Sequence, residues 1–426
     1  MNISSFNALQ GKLKWGTILG FLLVFLMLPP IFGLPIIIGY VWMSKTKTKT
    51  DYYVLMFCIA AYLGAINATK TPGGDQVNYY LAYTNVPTIG FWKSLIFIYG
   101  TSLADDPNKT MISAEFMNGV YNYFGYYLTF GYYPLFEFLL TLISYMLIFT
   151  GLYRFCKTLP KPHFPIVCGV LILSFFYLYF QFTLQIQKQL LAQAIMMFVI
   201  GDYAYRGKLT KWTKIAIICA IFTHQSMLFF VPFIVMKRFR QKMNKSTIIL
   251  VLSILALLIY YGPRMLGGGE SEMSQNVMTY GLNRFAQNEV NNDDAGGVSM
   301  IHLLVIAFPM AIICLNRIKD YQRKFVASQS FIIVVVLLIL VTIFAMSRQQ
   351  TSQYRFFMML MPFMPFIYTL AFKNVKWRNI LLKGLSGVML IWFYFQFEKI
   401  IWHFAPEMDI ILKSPILLIA SNYAGV

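Results

Sequence analysis

The sequence predicts an all-α polytopic integral membrane protein with about 10–14 transmembrane or re-entrant helices. Composition comes first: of 426 residues, 58% are hydrophobic, 17% aromatic and only 12% charged. Length comes second, since roughly ten apolar runs reach the ~18 residues that cross a bilayer. Charge placement comes third. The clusters Lys12–Lys14, Lys45–Lys49, Arg154–Lys161, Arg206–Lys214, Lys237–Lys245, Arg317–Lys324 and Lys373–Lys383 hold 25 of the 35 basic residues, with only Asp51, Asp202 and Asp320 nearby. Lys and Arg in short loops mark the cytoplasmic side of a membrane. The net charge of +19 therefore reports sidedness and does not call for a nucleic-acid partner. No stretch is long enough for a separate soluble domain, so residues 1–426 read as one polytopic membrane domain. Cys58, Cys156, Cys168, Cys219 and Cys314 lie in or beside apolar runs without CxxC spacing, which argues against a disulfide framework and against zinc.

Taking the clusters as inside orders the elements. The run Trp15–Leu28 is followed by Pro29-Pro30 and shows no small-residue cleavage site. Residues 16–43 therefore read as a retained signal-anchor or a helical hairpin. Residues 51–68 cross outward, and 69–130 form a large outer-face segment. That segment contains the turn signature Thr71-Pro72-Gly73-Gly74-Asp75, then the aromatic stretch Asn118–Tyr133. Residues 132–153 return, 164–180 cross outward and 189–204 return. The run 215–236 has basic clusters at both ends yet suits only one crossing in length. Two half-length helices turning inside the membrane would reconcile the two, with His224 at the tip. Residues 246–262 cross outward to a second large outer loop, 263–299, which is rich in Gly, Asn and acids. Residues 300–316 return, 326–346 cross outward, 355–372 return and 380–397 cross outward. Loops beyond about 15 residues are usually functional or disordered, which draws attention to the outer face.

The polar groups expected there are Asp75, Glu115, Gln185, Gln187, Lys188, Gln189, His224, Arg348 and Arg355. Lys188 and His224 interrupt apolar sequence, where an ionisable group costs roughly 2.5 kcal/mol or more on insertion scales and suggests function. Lys188, Arg348 and Arg355 together suit an anionic substrate whose leaving group is a phosphate: Arg grips phosphate bidentately and Lys acts as a point charge. There is neither GxxxxGK[ST] nor GxGxxG, so no nucleotide-binding motif is present. Nucleotide sugars and ATP are cytoplasmic, so an enzyme of the outer face would draw on a donor embedded in the membrane, for which a polyprenyl-diphosphate sugar is the natural candidate. The outer acids are scattered without ligand spacing, so neither metal nor cofactor is expected. Each group also has a structural reading. Lys188 could snorkel from a helix end, and His224 could be a satisfied interior histidine. Arg348 and Arg355 could anchor at the interface, and Asp75 could cap its Gly-Gly turn. Tyr79, Tyr80, Tyr121, Tyr123, Tyr126 and Tyr127 suit an interfacial belt, with sugar stacking on one or two of them.

Three segments in order, Gly74-Asp75-Gln76-Val77-Asn78-Tyr79-Tyr80, Gln187-Lys188-Gln189-Leu190-Leu191-Ala192 and Thr223-His224-Gln225-Ser226, resemble the EpsG-like family of polysaccharide polymerases. That family resembles a branch of the Wzy-type polymerases among the GT-C membrane glycosyltransferases. Its pattern has an early Asp-Tyr motif, an Arg-Gln-x-x-Ala motif opening a helix, a His-x-Ser motif and a late Arg. Asp75, Lys188 to Ala192, His224 to Ser226 and Arg355 occupy those places, and the likeness spans roughly residues 50–370. Lys188 departs from the pattern by standing where Arg is usual, keeping the charge and losing the bidentate fork.

The resemblance implies a bacterial cytoplasmic-membrane enzyme with its active site facing outward. It would transfer a growing glycan from undecaprenyl diphosphate to a new lipid-linked repeat unit, without metal or cofactor. A flippase and a chain-length regulator would be its partners, alongside the bilayer itself. Lys188 and Arg355 would neutralise the departing diphosphate, with Gln189 orienting. His224 would serve the acceptor hydroxyl, with Asp75 the rival base. Gln185, Gln187, Arg348, Tyr79, Tyr80, Gln225 and Ser226 would complete substrate binding. The rival readings are a transporter or flippase of the same lipid-linked oligosaccharide, a glycan ligase and a membrane acyltransferase.

Overall fold

The structure, a computed structural model, describes residues 15–43, 48–73, 75–96, 115–236, 246, 249–254, 257, 298–324, 327–347, 350–397, 404–421 and 423. Among the described residues helix is the regular structure and no strand occurs, as an all-α membrane protein requires. In chain order the helices are α1 (Trp15–Met27), α2 (Pro30–Met43), α3 (Lys49–Ala68), α4 (Asp75–Thr84), α5 (Val86–Ile96), α6 (Met117–Leu128), α7 (Tyr133–Cys156), α8 (His163–Ser174), α9 (Tyr177–Gln185), α10 (Gln187–Arg206) and α11 (Lys211–Thr223). A 3₁₀ segment, Gln225–Phe230, leads into α12 (Val231–Val235). Then follow α13 (Phe308–Lys324), α14 (Ala327–Ala345), α15 (Gln350–Leu360), α16 (Met364–Tyr368), α17 (Val375–Phe397), α18 (Glu407–Leu412) and α19 (Pro415–Ala420).

Two compact units divide the chain. One comprises Met1–Gly201, Thr210–Met227 and Asn379–Val426; the other comprises Asp202–Leu209 and Leu228–Arg378.

The first unit is organised on α3 and α7, which pack along most of their length. The break predicted at Pro29-Pro30 is present: α1 ends at Met27, and Pro30 takes the first position of α2, where no amide hydrogen is needed. A reciprocal cap starts α3. The Thr48 hydroxyl accepts from the Asp51 amide at 3.3 Å while Asp51 accepts from the Thr48 amide at 2.7 Å. The Tyr40 hydroxyl then donates to Asp51 at 3.1 Å, tying α2 to α3. Helix α7 meets α10 so closely that a Cβ on Gly201 would sit 2.1 Å from the Gly151 carbonyl oxygen. Small residues allow such approaches in lipid, where apolar contact alone gives helices no reason to associate.

Ends of the helices that carry basic clusters come together. Lys383 of α17 lies 4.1 Å from the Phe164 ring centroid and 5.2 Å from that of Trp42. The opposite ends of α3 and α7 gather polar groups instead, and these build the candidate site.

In the second unit, Asp202 pairs with Arg206 at 2.7 Å. Tyr203 packs edge-on against Phe331 of α14, with centroids 5.2 Å apart. The buried Arg317 donates from Nε to the Leu370 carbonyl.

Among the described residues, four helical stretches are long and apolar enough to span a membrane: Lys49–Ala68, Tyr133–Cys156, Met300–Ile318 and Val375–Phe397. Several runs expected as single crossings are interrupted. The run 164–180 breaks at Phe175 and Phe176 between α8 and α9. The run 355–372 passes through a 3₁₀ turn, Met361–Phe363, where Pro362 and Pro365 withhold amides from the helical ladder. The run 300–316, by contrast, stays one helical stretch, Met300–Ile318, with a π-helical turn at Leu303–Ala307 just before Pro309. Where described, the segment 69–130 is largely helical, with α4, α5 and α6. Loop 263–299 lies outside the described residues except for 298 and 299, as does most of 246–262.

Candidate active site

Helix α10 starts after a backbone break at Ile186, with φ −116° and ψ 73°, and this break puts Lys188 in its first turn. A helix N-terminus is the positive end of its dipole, so a lysine there adds positive charge to positive charge. Lys188 is also buried, at 4% exposure. A buried charge in this setting calls for an anion. Glu115 supplies one, its Oε2 lying 3.6 Å from Lys188 Nζ. The ammonium also lies 5.9 Å from the centroid of the Tyr79 ring, within cation–π range.

The other oxygen of Glu115 reaches the turn that the sequence places at His224. A capping box of Thr210 and Thr213 starts α11, which ends at Thr223, and His224 then adopts extended backbone with φ −155° and ψ 121°. The Gln225 amide, released by that break from the helical ladder, donates to Glu115 Oε1 at 3.2 Å. One carboxylate thus joins the Lys188 cation to the residue after His224. Phe116 continues the contact, packing on Phe222 with centroids 4.6 Å apart.

Inside the turn, His224 Nδ1 lies 2.6 Å from Ser226 Oγ and accepts from the Ser226 amide at 3.2 Å. A backbone amide can only donate, so Nδ1 carries a lone pair and Nε2 carries the ring proton.

Behind Lys188 is a second, fully enclosed charge pair. Gln187 Nε2 donates to Glu137 Oε1 at 3.0 Å, and Asn67 Nδ2 donates to Glu137 Oε2 at 2.8 Å and to Thr141 Oγ1 at 2.8 Å. Lys70 Nζ lies 3.9 Å from Glu137 Oε2, with both side chains under 5% exposed. Burial pushes the Lys70 ammonium below the usual lysine range, and Glu137 offsets part of that shift. The carboxylate of α7 therefore fixes the residue next to Lys188 from the α3 side.

The residues expected from the sequence distribute as follows. Lys188, Gln187, Gln189, Tyr79, His224, Gln225 and Ser226 all belong to the first unit, the first four of them buried and the last three half-buried. Tyr80 packs edge-on against Tyr133, with centroids 5.0 Å apart, and so serves the aromatic packing of α4 on α7. Asp75 opens α4, and its side chain, like that of Gln185, lies outside the described residues; so does Arg348 entirely. Arg355, half-buried on α15, belongs to the second unit. Tyr127, Leu128 and Phe130 present an exposed apolar and aromatic edge where the interfacial belt was expected.

Sequence alone sets Glu115 among the outer-face polar groups without giving it a role, and does not assign Glu137 or Lys70 to the site. Glu115 stands alone in a polar stretch, and only a fold shows what it touches. Glu137 and Lys70 each carry a signal, an ionisable group in or beside a span, but their pairing joins positions 67 residues apart in sequence.

The family model described as the EpsG family matches residues 92–404. Glu115, Glu137, Lys188, His224 and Arg355 fall within that range, and Asp75 precedes it. No curated protein and no solved structure matches the chain.

Proposed function

Because this chain belongs to the EpsG family, whose members are membrane proteins of polysaccharide production, we propose that it polymerises a polysaccharide from lipid-diphosphate-linked repeat units at the outer face of the bacterial cytoplasmic membrane. The observation that supports this reading most is the setting of Lys188. A buried ammonium in the first turn of α10, balanced by the partly exposed Glu115, makes a site for an anionic group.

The chemistry follows from where charge develops. Attack by the acceptor sugar on the anomeric carbon expels a polyprenyl diphosphate, and negative charge grows on the phosphate oxygens. A fixed cation and fixed N–H donors at that place lower the barrier because they need no reorganisation as the charge appears. Lys188 supplies the cation, and the Nε2–H of His224 supplies a donor one residue from the amide that Glu115 holds. Gln187, fixed by Glu137, sets the direction of the first turn of α10. The undecaprenyl carrier belongs to this proposal through the resemblance to the family.

Deleting the gene in its host and complementing with variants tests the reading. Wild-type complementation should restore long glycan, and Lys188→Ala should leave single lipid-linked repeats accumulating at normal protein level. A ligase would instead show lipid-linked polymer accumulating without transfer. A flippase would show single repeats trapped on the inner face.

A further inference from the structure

We propose that Glu115 is the group that takes the proton from the acceptor sugar hydroxyl, and that His224 acts as a hydrogen-bond donor in the same step. The inference rests on the glycosyl-transfer reading of the site and adds to it the identity of the base.

Geometry at His224 points away from the imidazole as the base. Its Nδ1 accepts from the Ser226 amide and lies 2.6 Å from Ser226 Oγ, which leaves Nε2 protonated. A nitrogen holding a proton cannot receive another. Moving the ring proton to Nδ1 would set an N–H against the Ser226 amide, two donors facing each other in a half-buried turn. The carboxylate of Glu115 meets the geometric requirement. It accepts from the Gln225 amide, one residue from His224, at 3.2 Å and lies 3.6 Å from Lys188. Its side chain is 23% exposed, whereas that of Lys188 is 5% exposed. The carboxylate is therefore the more accessible partner of the pair to an entering hydroxyl.

The step balances as follows. The acceptor oxygen forms a bond to the anomeric carbon of the donor glycan, and its proton passes to a Glu115 oxygen. The bond from the anomeric carbon to the diphosphate oxygen breaks, and the electron pair leaves on that oxygen beside Lys188. A diphosphate arriving at Lys188 also takes over part of the positive charge that Glu115 neutralises in the free protein. That exchange frees the carboxylate to accept a proton once the donor is in place. Glu115 then passes its proton to the product diphosphate or to water, which restores the starting state.

The test uses the full-length chain in proteoliposomes, supplied with the lipid fraction extracted from cells deleted for this gene as the source of single repeats. Glu115→Gln keeps the size and the acceptor for the Gln225 amide but removes the base. Polymerisation should fall about 100-fold or more, in the range that a positioned base contributes. Glu115→Ala should be equally slow and should recover severalfold with added formate, a small carboxylate that fits the vacated volume. Formate rescue without rescue by nitrate, an anion that balances Lys188 but is too weak a base to take the proton, separates a base from a residue that only balances Lys188. Equal rescue by nitrate overturns the assignment. Glu115→Gln at near wild-type rate, or Glu115→Ala unresponsive to formate, overturns the assignment. If either result comes with an inactive Lys188→Ala, the glycosyl-transfer reading stands and only the base is wrong. If Lys188→Ala also polymerises normally, both fall.

Discussion

The Glu115 carboxylate bridges Lys188, 3.6 Å away, and the amide of Gln225, 3.2 Å away, so two segments 37 positions apart in sequence share one anion. Through it the broken turn after α11 and the first turn of α10 form a single polar centre within an apolar unit. Lys188 could not hold its charge there alone, because a buried cation without an anion is strongly destabilising.

The pair behind the site should show that dependence in stability. Glu137→Leu leaves Lys70 buried and uncompensated, which costs about 3–5 kcal/mol when one partner of an enclosed pair is removed. The double variant Lys70→Met with Glu137→Leu should recover most of the loss, because two apolar groups of similar size replace the pair. Thermal unfolding of the detergent-solubilised protein measures both. A double variant no more stable than Glu137→Leu would show that the loss comes from Asn67 and Gln187 instead.

Helix crossing makes a steric prediction. Gly201→Leu places a branched side chain where even a Cβ would lie 2.1 Å from the Gly151 carbonyl oxygen. Overpacking of this kind costs about 1–3 kcal/mol or more. The folded yield after extraction should drop sharply, whereas leucine at Gly384, whose Cβ meets nothing within 4 Å, should leave it near wild type. Equal yields would mean that α7 and α10 separate easily.

The turn at His224 makes a prediction about sidedness. If 215–236 is a re-entrant pair of half-helices, Gln225→Cys in a background lacking the native cysteines should react with an impermeant thiol reagent from outside. Lys214→Cys and Lys237→Cys should stay protected. Labelling of either flanking position from outside would make the segment a single crossing.

Arg355 holds the late-arginine position of the family pattern. Arg355→Ala should shorten or abolish the glycan, while Arg355→Lys retains part of the activity because charge persists without the bidentate fork. Glycan length on a gel, at matched protein level, measures this. Full-length glycan from Arg355→Ala would remove it from the chemistry.

Fold class was legible because apolar length and clustered Lys and Arg are one-dimensional signals. The break at Pro29-Pro30 was legible as well, since proline acts locally. The break at Phe175 was not, because phenylalanine is no helix breaker and tertiary contacts decide there, whereas the break at Ile186 falls in the connection expected between the runs 164–180 and 189–204. Lys188 and His224 stood out as charges in apolar sequence, and the structure places each at the start or end of a helix. Glu115 was legible only as one polar group of the outer face, since an isolated acid in a polar segment has no pattern and gains a role only from Lys188 and Gln225. The partnership of Glu137 with Lys70 was hidden for a related reason: a span with one acid shows a charge, but only packing of α3 on α7 shows its counter-charge.

The central claim is that Lys188 carries the charge released when glycan leaves its diphosphate. The most direct measurement is polymer length made by purified, reconstituted protein from single lipid-linked repeats, comparing wild type, Lys188→Arg and Lys188→Ala at equal folded amounts. The expected result is a ladder from wild type, a ladder formed more slowly from Lys188→Arg, and single repeats from Lys188→Ala, with a rate at least about 100-fold lower. A full ladder from folded Lys188→Ala, or no ladder from folded wild type, would contradict it.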